Sequence, residues 1–254
     1  MPIWLIPAFL GTALLYASVG FGGGSTYNAL LALAGVDYRV LPAIALTCNI
    51  IVVIGGTWRF HRAGLLPWRR ALPLVLVSAP FAGLGGLTPI TETAFLALLA
   101  TSLFVAGLAL LVQRERPLET APAQQDRKTG FADLLTGAGV GYLAGLVGIG
   151  GGIFLTPYLH MTRWAAAKHI AATASLFILI NSITGLAGQL GKLGSTGALP
   201  EVAGYWPLAL AVLIGGQIGS IAGIRLLSPT LVRRATGLLI LYVAAQLAWR
   251  LLTR

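Results

Sequence analysis

Eight long apolar runs, mostly free of charge, constrain this chain more than any other feature. They are Ile3 to Val19, Val40 to Trp58, Ala71 to Leu87, Thr93 to Val112, Leu134 to Val147, Ile170 to Leu190, Tyr205 to Leu226 and Leu231 to Leu252. A helix rising about 1.5 Å per residue needs about 20 apolar residues to cross roughly 30 Å of hydrocarbon. Only 9% of the 254 residues are charged, against roughly 25% in soluble domains. Most of the chain therefore faces lipid or protein, and the expected fold class is an all-α polytopic membrane protein.

The net charge of +10 does not indicate a nucleic-acid surface. The basic residues sit in short loops between apolar runs, where cytoplasmic loops of membrane proteins collect Lys and Arg. The single cysteine, Cys48, lies inside an apolar run, so no disulfide framework or Cys-rich metal site forms within one chain. The N-terminal run lacks the basic n-region of a cleaved signal peptide and is read as the first membrane segment.

Two shorter apolar stretches, Ser25 to Ala34 and Ile153 to Met161, follow glycine clusters that expose an internal repeat. Val19-Gly20-Phe21-Gly22-Gly23-Gly24 matches Val147-Gly148-Ile149-Gly150-Gly151-Gly152, and the register continues without gaps to Thr47 against Ser175. The chain divides into a first membrane repeat (1–112), a polar linker (113–133) and a second membrane repeat (134–254). Each repeat is a glycine-broken segment plus three long helices, an organisation used by many transporters. If each broken segment crosses once, the 17 Lys and Arg residues split 11 to 6 across the membrane. If each is a hairpin turning at the glycines, six full crossings remain. Only Arg39, Lys192, Arg250 and Arg254 then lie outside, a split of 13 to 4. The hairpin arrangement follows the positive-inside bias better and makes the repeats inverted.

Backbone that leaves helical geometry inside a membrane survives only where protein or a water-filled cavity satisfies it. The helices beginning after each break point free N–H groups and partial positive charge into that space, which favours an anion. The expected substrate-binding residues are Gly23, Gly24, Ser25, Asn28, Thr47 and Asn49 in the first half, with Gly151, Gly152, Thr156, Ser175 and Asn181 in the second. Amide and hydroxyl groups replace part of an anion's hydration shell; the competing reading is close helix packing and interhelical hydrogen bonding.

All seven acidic residues (Asp37, Glu92, Glu115, Glu119, Asp126, Asp133, Glu201) fall in loops or at run edges. Cation pumps and proton relays usually place a carboxylate within a membrane segment, so a neutral or anionic substrate is favoured. His61, His160 and His169, with Arg163 and Lys168, read as interfacial residues more readily than as a proton shuttle. Trp4, Trp58, Trp68, Trp164, Trp206 and Trp249 lie near run ends, as in an aromatic belt. No metal-ligand spacing, nucleophile elbow or phosphate-loop lysine motif occurs in the sequence, and no cofactor is expected.

The doubled Val-Gly-x-Gly-Gly-Gly, with Thr47-Cys48-Asn49 and Ala174-Ser175-Leu176 after it, resembles the TauE/SafE sulfite exporter family. The resemblance covers nearly the whole chain. It implies a membrane transporter for sulfite, sulfonates or related sulfur-containing and carboxylate anions. Phe177 stands where the first half has Asn49, so the half-sites are not chemically identical. The reading is a secondary transporter of small anions, multi-pass in the inner membrane, and not an enzyme. Its partners are the substrate anion and the bilayer; self-association into a homo-oligomer stays open. The rivals are a non-transporting membrane anchor or assembly subunit, and an intramembrane enzyme, for which no catalytic set is visible.

Overall fold

The computed structural model describes residues 1–19, 22–112, 129–222 and 229–253. Among them the regular structure is helical: α1 (Leu5–Val19), α2 (Gly24–Leu33), α3 (Leu41–Arg62), α4 (Trp68–Leu87), α5 (Glu92–Val112), α6 (Phe131–Val147), α7 (Gly152–Met161), α8 (Ala167–Thr196), α9 (Leu199–Ala203), α10 (Trp206–Ala222) and α11 (Pro229–Leu252). Four of these, α3, α4, α5 and α8, are long and apolar enough to cross a membrane.

The helix ends follow local chemistry. Pro42 sits in the first turn of α3, and Arg59, His61 and Arg62 occupy its last turn, where cations complement the helix dipole. The turn into α3 is held by Arg39, whose Nε donates to both carboxylate oxygens of Asp37 at 3.1 and 3.0 Å. These hydrogen bonds hold the Asp37 carboxyl below its ordinary range. Helix α6 begins at Phe131, inside the stretch expected to be linker, because Asp133 accepts from the Gly130 N–H at 2.9 Å and closes its first turn. The rest of the expected linker, 113–128, lies outside the described residues.

Both glycine-broken segments fold back. In the second half Tyr158 Oη, near the end of α7, donates to Asp133 Oδ1 at the start of α6, 2.7 Å away. A continuous helix would separate these residues by about 37 Å. In the first half the Phe9 and Tyr27 rings stack at 4.7 Å, and the Tyr16 and Thr26 hydroxyls are 2.9 Å apart. Asp133 lies at the edge of its apolar run, as expected, yet is completely buried. Its two oxygens are occupied by the capping and tyrosine bonds, so burial leaves neither oxygen without a partner.

The two halves interleave. Helix α6 packs on α4 and α1 on α10. Gly137 faces Leu74, Gly141 faces Ser78 and Gly145 faces Ala82, so α4 and α6 run parallel; Gly215 faces Leu10 and Gly219 faces Leu14, so α1 and α10 do too. At Gly141, Gly145, Gly215 and Gly219 an added Cβ would run into a neighbouring carbonyl; small residues at four-residue spacing permit this approach. Helices α3 and α8 run antiparallel, with Leu46 at Gly185 and the Thr57 and Ser175 hydroxyls 2.8 Å apart. Helices α5 and α11 are also antiparallel, Gly107 meeting Leu241 and Gly237 meeting Leu111.

The outside is apolar. Ile54, Leu76, Leu84, Phe104, Leu135 and Leu238 are among many exposed large hydrophobics, far more than a soluble monomer presents. Five tryptophans are exposed, but Trp164 is fully buried. The Arg70 guanidinium covers its ring at 5.0 Å, a cation–π contact that anchors α4 beside the α7–α8 turn rather than joining an outer belt. His61 lies against Trp58 and Trp68, at ring separations of 5.9 and 5.5 Å.

Candidate functional site

The glycine breaks of the two halves meet. A Cβ on Gly24 would lie 2.5 Å from the Ile149 carbonyl oxygen, so the start of α2 touches the second break directly. Asn49 of α3 reaches both. Its Oδ1 lies 2.6 Å from a Cβ built on Gly22, and its Nδ2 lies 2.8 Å from one built on Gly150. The second break needs glycine for its backbone as well: Gly148, Gly150 and Gly151 have φ of +81°, +80° and +79°, a region costly for L side chains. Its counterpart in the first half differs, since Gly23 has φ −100°.

The last turn of α6 ends in the protein interior, and a helix end leaves four carbonyls without helical partners. Side-chain amides supply the donors. Gln189 Nε2 donates to Gly145 O at 2.8 Å and Leu146 O at 3.2 Å. Asn28 Nδ2 donates to Val147 O at 3.1 Å and Gly148 O at 3.0 Å. Asn49 Nδ2 donates to Ile149 O at 3.3 Å. Three buried amides therefore cap five consecutive carbonyls. Asn28 and Asn49, expected to line the substrate site, spend their N–H groups on backbone of the other half; the oxygens of both have no partner.

Other expected residues divide into engaged and unengaged groups. Thr47 Oγ1 donates to Ala43 O of its own helix at 2.8 Å. Ser175 pairs with Thr57 and so ties α8 to α3. Thr156 Oγ1 and both amide atoms of Asn181 are buried without a hydrogen-bond partner. Ser182, absent from the expected set, is also unpartnered and lies 3.2 Å from a Cβ built on Gly150. Tyr27 Oη and Gln189 Oε1 join this group. Ser25 is buried at the start of α2. Neither α2, starting after Gly23, nor α7, starting after Gly151, has a side-chain cap at its N-terminus.

Natural cores pair nearly all buried polar groups; here Ser182 is unpaired at Gly150 and Thr156 is unpaired one turn into α7, close to the uncapped helix starts. The glycines there serve close packing too: a Cβ on Gly151 would meet Phe177 at 2.9 Å and one on Gly23 would meet Tyr27 at 2.7 Å. Ser182 is legible in the sequence as a polar side chain within its apolar run, next to Asn181; Gln189 carried no signal for its capping role, because the carbonyls it caps lie more than 40 residues away.

Apolar outer surface, crossing-length helices and a buried polar junction together define a polytopic helical membrane protein. The chain belongs to the TauE/SafE sulfite exporter family: the model described as Sulfite exporter TauE/SafE matches residues 5–247. A probable membrane transporter protein of Sinorhizobium fredii is 32% identical over 97% of this chain and 98% of its own length. A probable membrane transporter protein of Methanocaldococcus jannaschii is 26% identical over 75% of this chain and 72% of its own. One from Xylella fastidiosa strain Temecula1 is 28% identical over 90% of this chain and 88% of its own. No solved structure matches the chain. It is a multi-pass membrane transporter.

Proposed function

We propose that this chain is a secondary transporter moving small anions, namely sulfite, organosulfonates or related sulfur-containing or carboxylate anions, across the inner membrane. The observation that carries the reading is the meeting of two uncapped helix starts with buried, unpartnered Thr156, Asn181 and Ser182. Each start concentrates partial positive charge. The description of the family as sulfite exporters supports the substrate class.

The transport path runs between two inverted repeats, each entering the membrane through a hairpin and crossing it three times. Support comes from the antiparallel packing of α3 on α8 and α5 on α11, which hold corresponding places in the two halves. Corresponding helices that meet antiparallel are related by an axis across them. With eight simple crossings, α3 and α8 would run in the same direction. The N-terminus, the C-terminus and the segment around Lys192 then face the periplasm, and Arg59 to Arg70 with the linker face the cytoplasm. Flux into proteoliposomes of a panel of sulfur oxyanions, sulfonates, carboxylates and alkali cations tests the function. Anions are expected to enter faster than into empty liposomes and cations are not; saturable cation uptake without anion uptake would overturn the reading.

A further inference from the structure

We infer that the junction accepts singly charged anions and rejects dianions, so that sulfite crosses as bisulfite; this rests on the anion reading above. The positive potential available there is small and countable. Helix α2 starts uncapped against Ile149, and α7 starts uncapped three residues further along that break. Each N-terminus carries the equivalent of about half a positive charge, and the C-terminus of α6 at the same break carries about half a negative one, offset by its amide caps, so the site balances at most about one negative charge.

Nothing else at the junction supplies a full cation. Among the described residues no Lys, Arg or His is buried. After Asn49 the first basic residue on α3 is Arg59, about 15 Å along the helix axis. On α7 His160 lies about 12 Å along the axis from Gly152, and around Asn181 on α8 the nearest basic residues are His169 and Lys192, about 18 and 16 Å away. Asp133, the buried carboxylate, starts α6 and lies about 20 Å along that helix from the break. The remaining groups are neutral dipoles: Thr156, Asn181 and Ser182, all buried and unpartnered. Ser182 lies directly at Gly150.

Neutral dipoles solvate one charge well enough to replace part of a hydration shell. The cost of removing an ion from water grows with the square of its charge, about fourfold for a dianion. Two half-charges and a few hydroxyls and amides do not offset that. The Asn49 Oδ1 acceptor is unpartnered, and its amide nitrogen is held by Ile149 O. A hydrogen-bearing oxyanion can donate to that oxygen, whereas a fully ionised one cannot.

The test is radiolabelled uptake by the purified full-length protein in proteoliposomes, at fixed total concentration below saturation, from pH 6 to pH 9. Three anions are compared: methanesulfonate, singly charged throughout; sulfate, doubly charged throughout; and sulfite, which loses its second proton within the range. Methanesulfonate uptake is expected to be flat with pH and sulfate uptake to match empty liposomes. Sulfite uptake is expected to fall about tenfold per pH unit once the dianion dominates. Sulfate uptake comparable to methanesulfonate, or sulfite uptake unchanged by pH, would overturn the inference while leaving anion transport standing. Uptake of none of the three would overturn both.

Discussion

Gly24 and Gly152 hold the same place in the two halves, yet their surroundings predict different tolerance. An added methyl at Gly24 meets the Ile149 carbonyl and the Asn49 amide, while at Gly152 it meets the tip of the Ile178 side chain. Backbone cannot step aside as a rotamer can. Gly24→Ala is expected to cost about 1–3 kcal/mol as an overpacked site, and Gly152→Ala about 0.5–1.5 kcal/mol, the price of an off-rotamer isoleucine. Thermal unfolding in detergent should rank them in that order; equal midpoints would contradict the contact at Ile149. Asn28 is the clearest structural amide. Asn28→Ala leaves two buried carbonyls unpaired at about 1–3 kcal/mol each, and its midpoint should fall well below that of Thr47→Ala, which loses only a bond within one helix turn.

At the scale of elements, most helices were legible in the sequence and their ends less so. The apolar run Thr93 to Val112 became α5 (Glu92–Val112), and Leu134 to Val147 became α6 (Phe131–Val147). Helix α3 continues past Trp58 through Arg59, His61 and Arg62, because charged side chains near a helix end reach polar surroundings without breaking the helix. Helix α8 runs on to Thr196 through two more glycines and stops at Gly197 with φ +72°. The doubled glycine motif pointed to the junction, since breaks in register leave a pattern any reader of the chain can find. The capping of α6 by Asn28, Asn49 and Gln189 was not legible, because those partners are 43 to 120 residues apart. The antiparallel pairing of α3 and α8 has its own check. Thr57→Cys with Ser175→Cys, in a chain where Cys48 is replaced by Ala, should form a disulfide on mild oxidation, since the native hydroxyls are 2.8 Å apart. Failure to cross-link in a folded protein would argue against that register.

For the whole molecule, sidedness and function are linked through the hairpins. If both turn back at the glycines, single cysteines at Leu199 and Ala123 should label from opposite sides of the membrane; labelling from the same side would favour eight simple crossings. The central claim is that the polar groups at the junction are kept for a substrate and not for the fold. Removing an unpartnered buried polar group is neutral or stabilising when only the fold is considered, whereas a substrate site carries such groups at a cost in stability. The double variant Asn181→Ala, Ser182→Ala separates the two roles, because neither side chain has a hydrogen-bond partner to lose. Sulfite flux in proteoliposomes, read beside the unfolding midpoint of the same preparation, is the most direct measurement. The account predicts a midpoint unchanged or higher with flux down about tenfold, the effect of losing roughly 1.4 kcal/mol of anion binding. Wild-type flux from a folded double variant would contradict it.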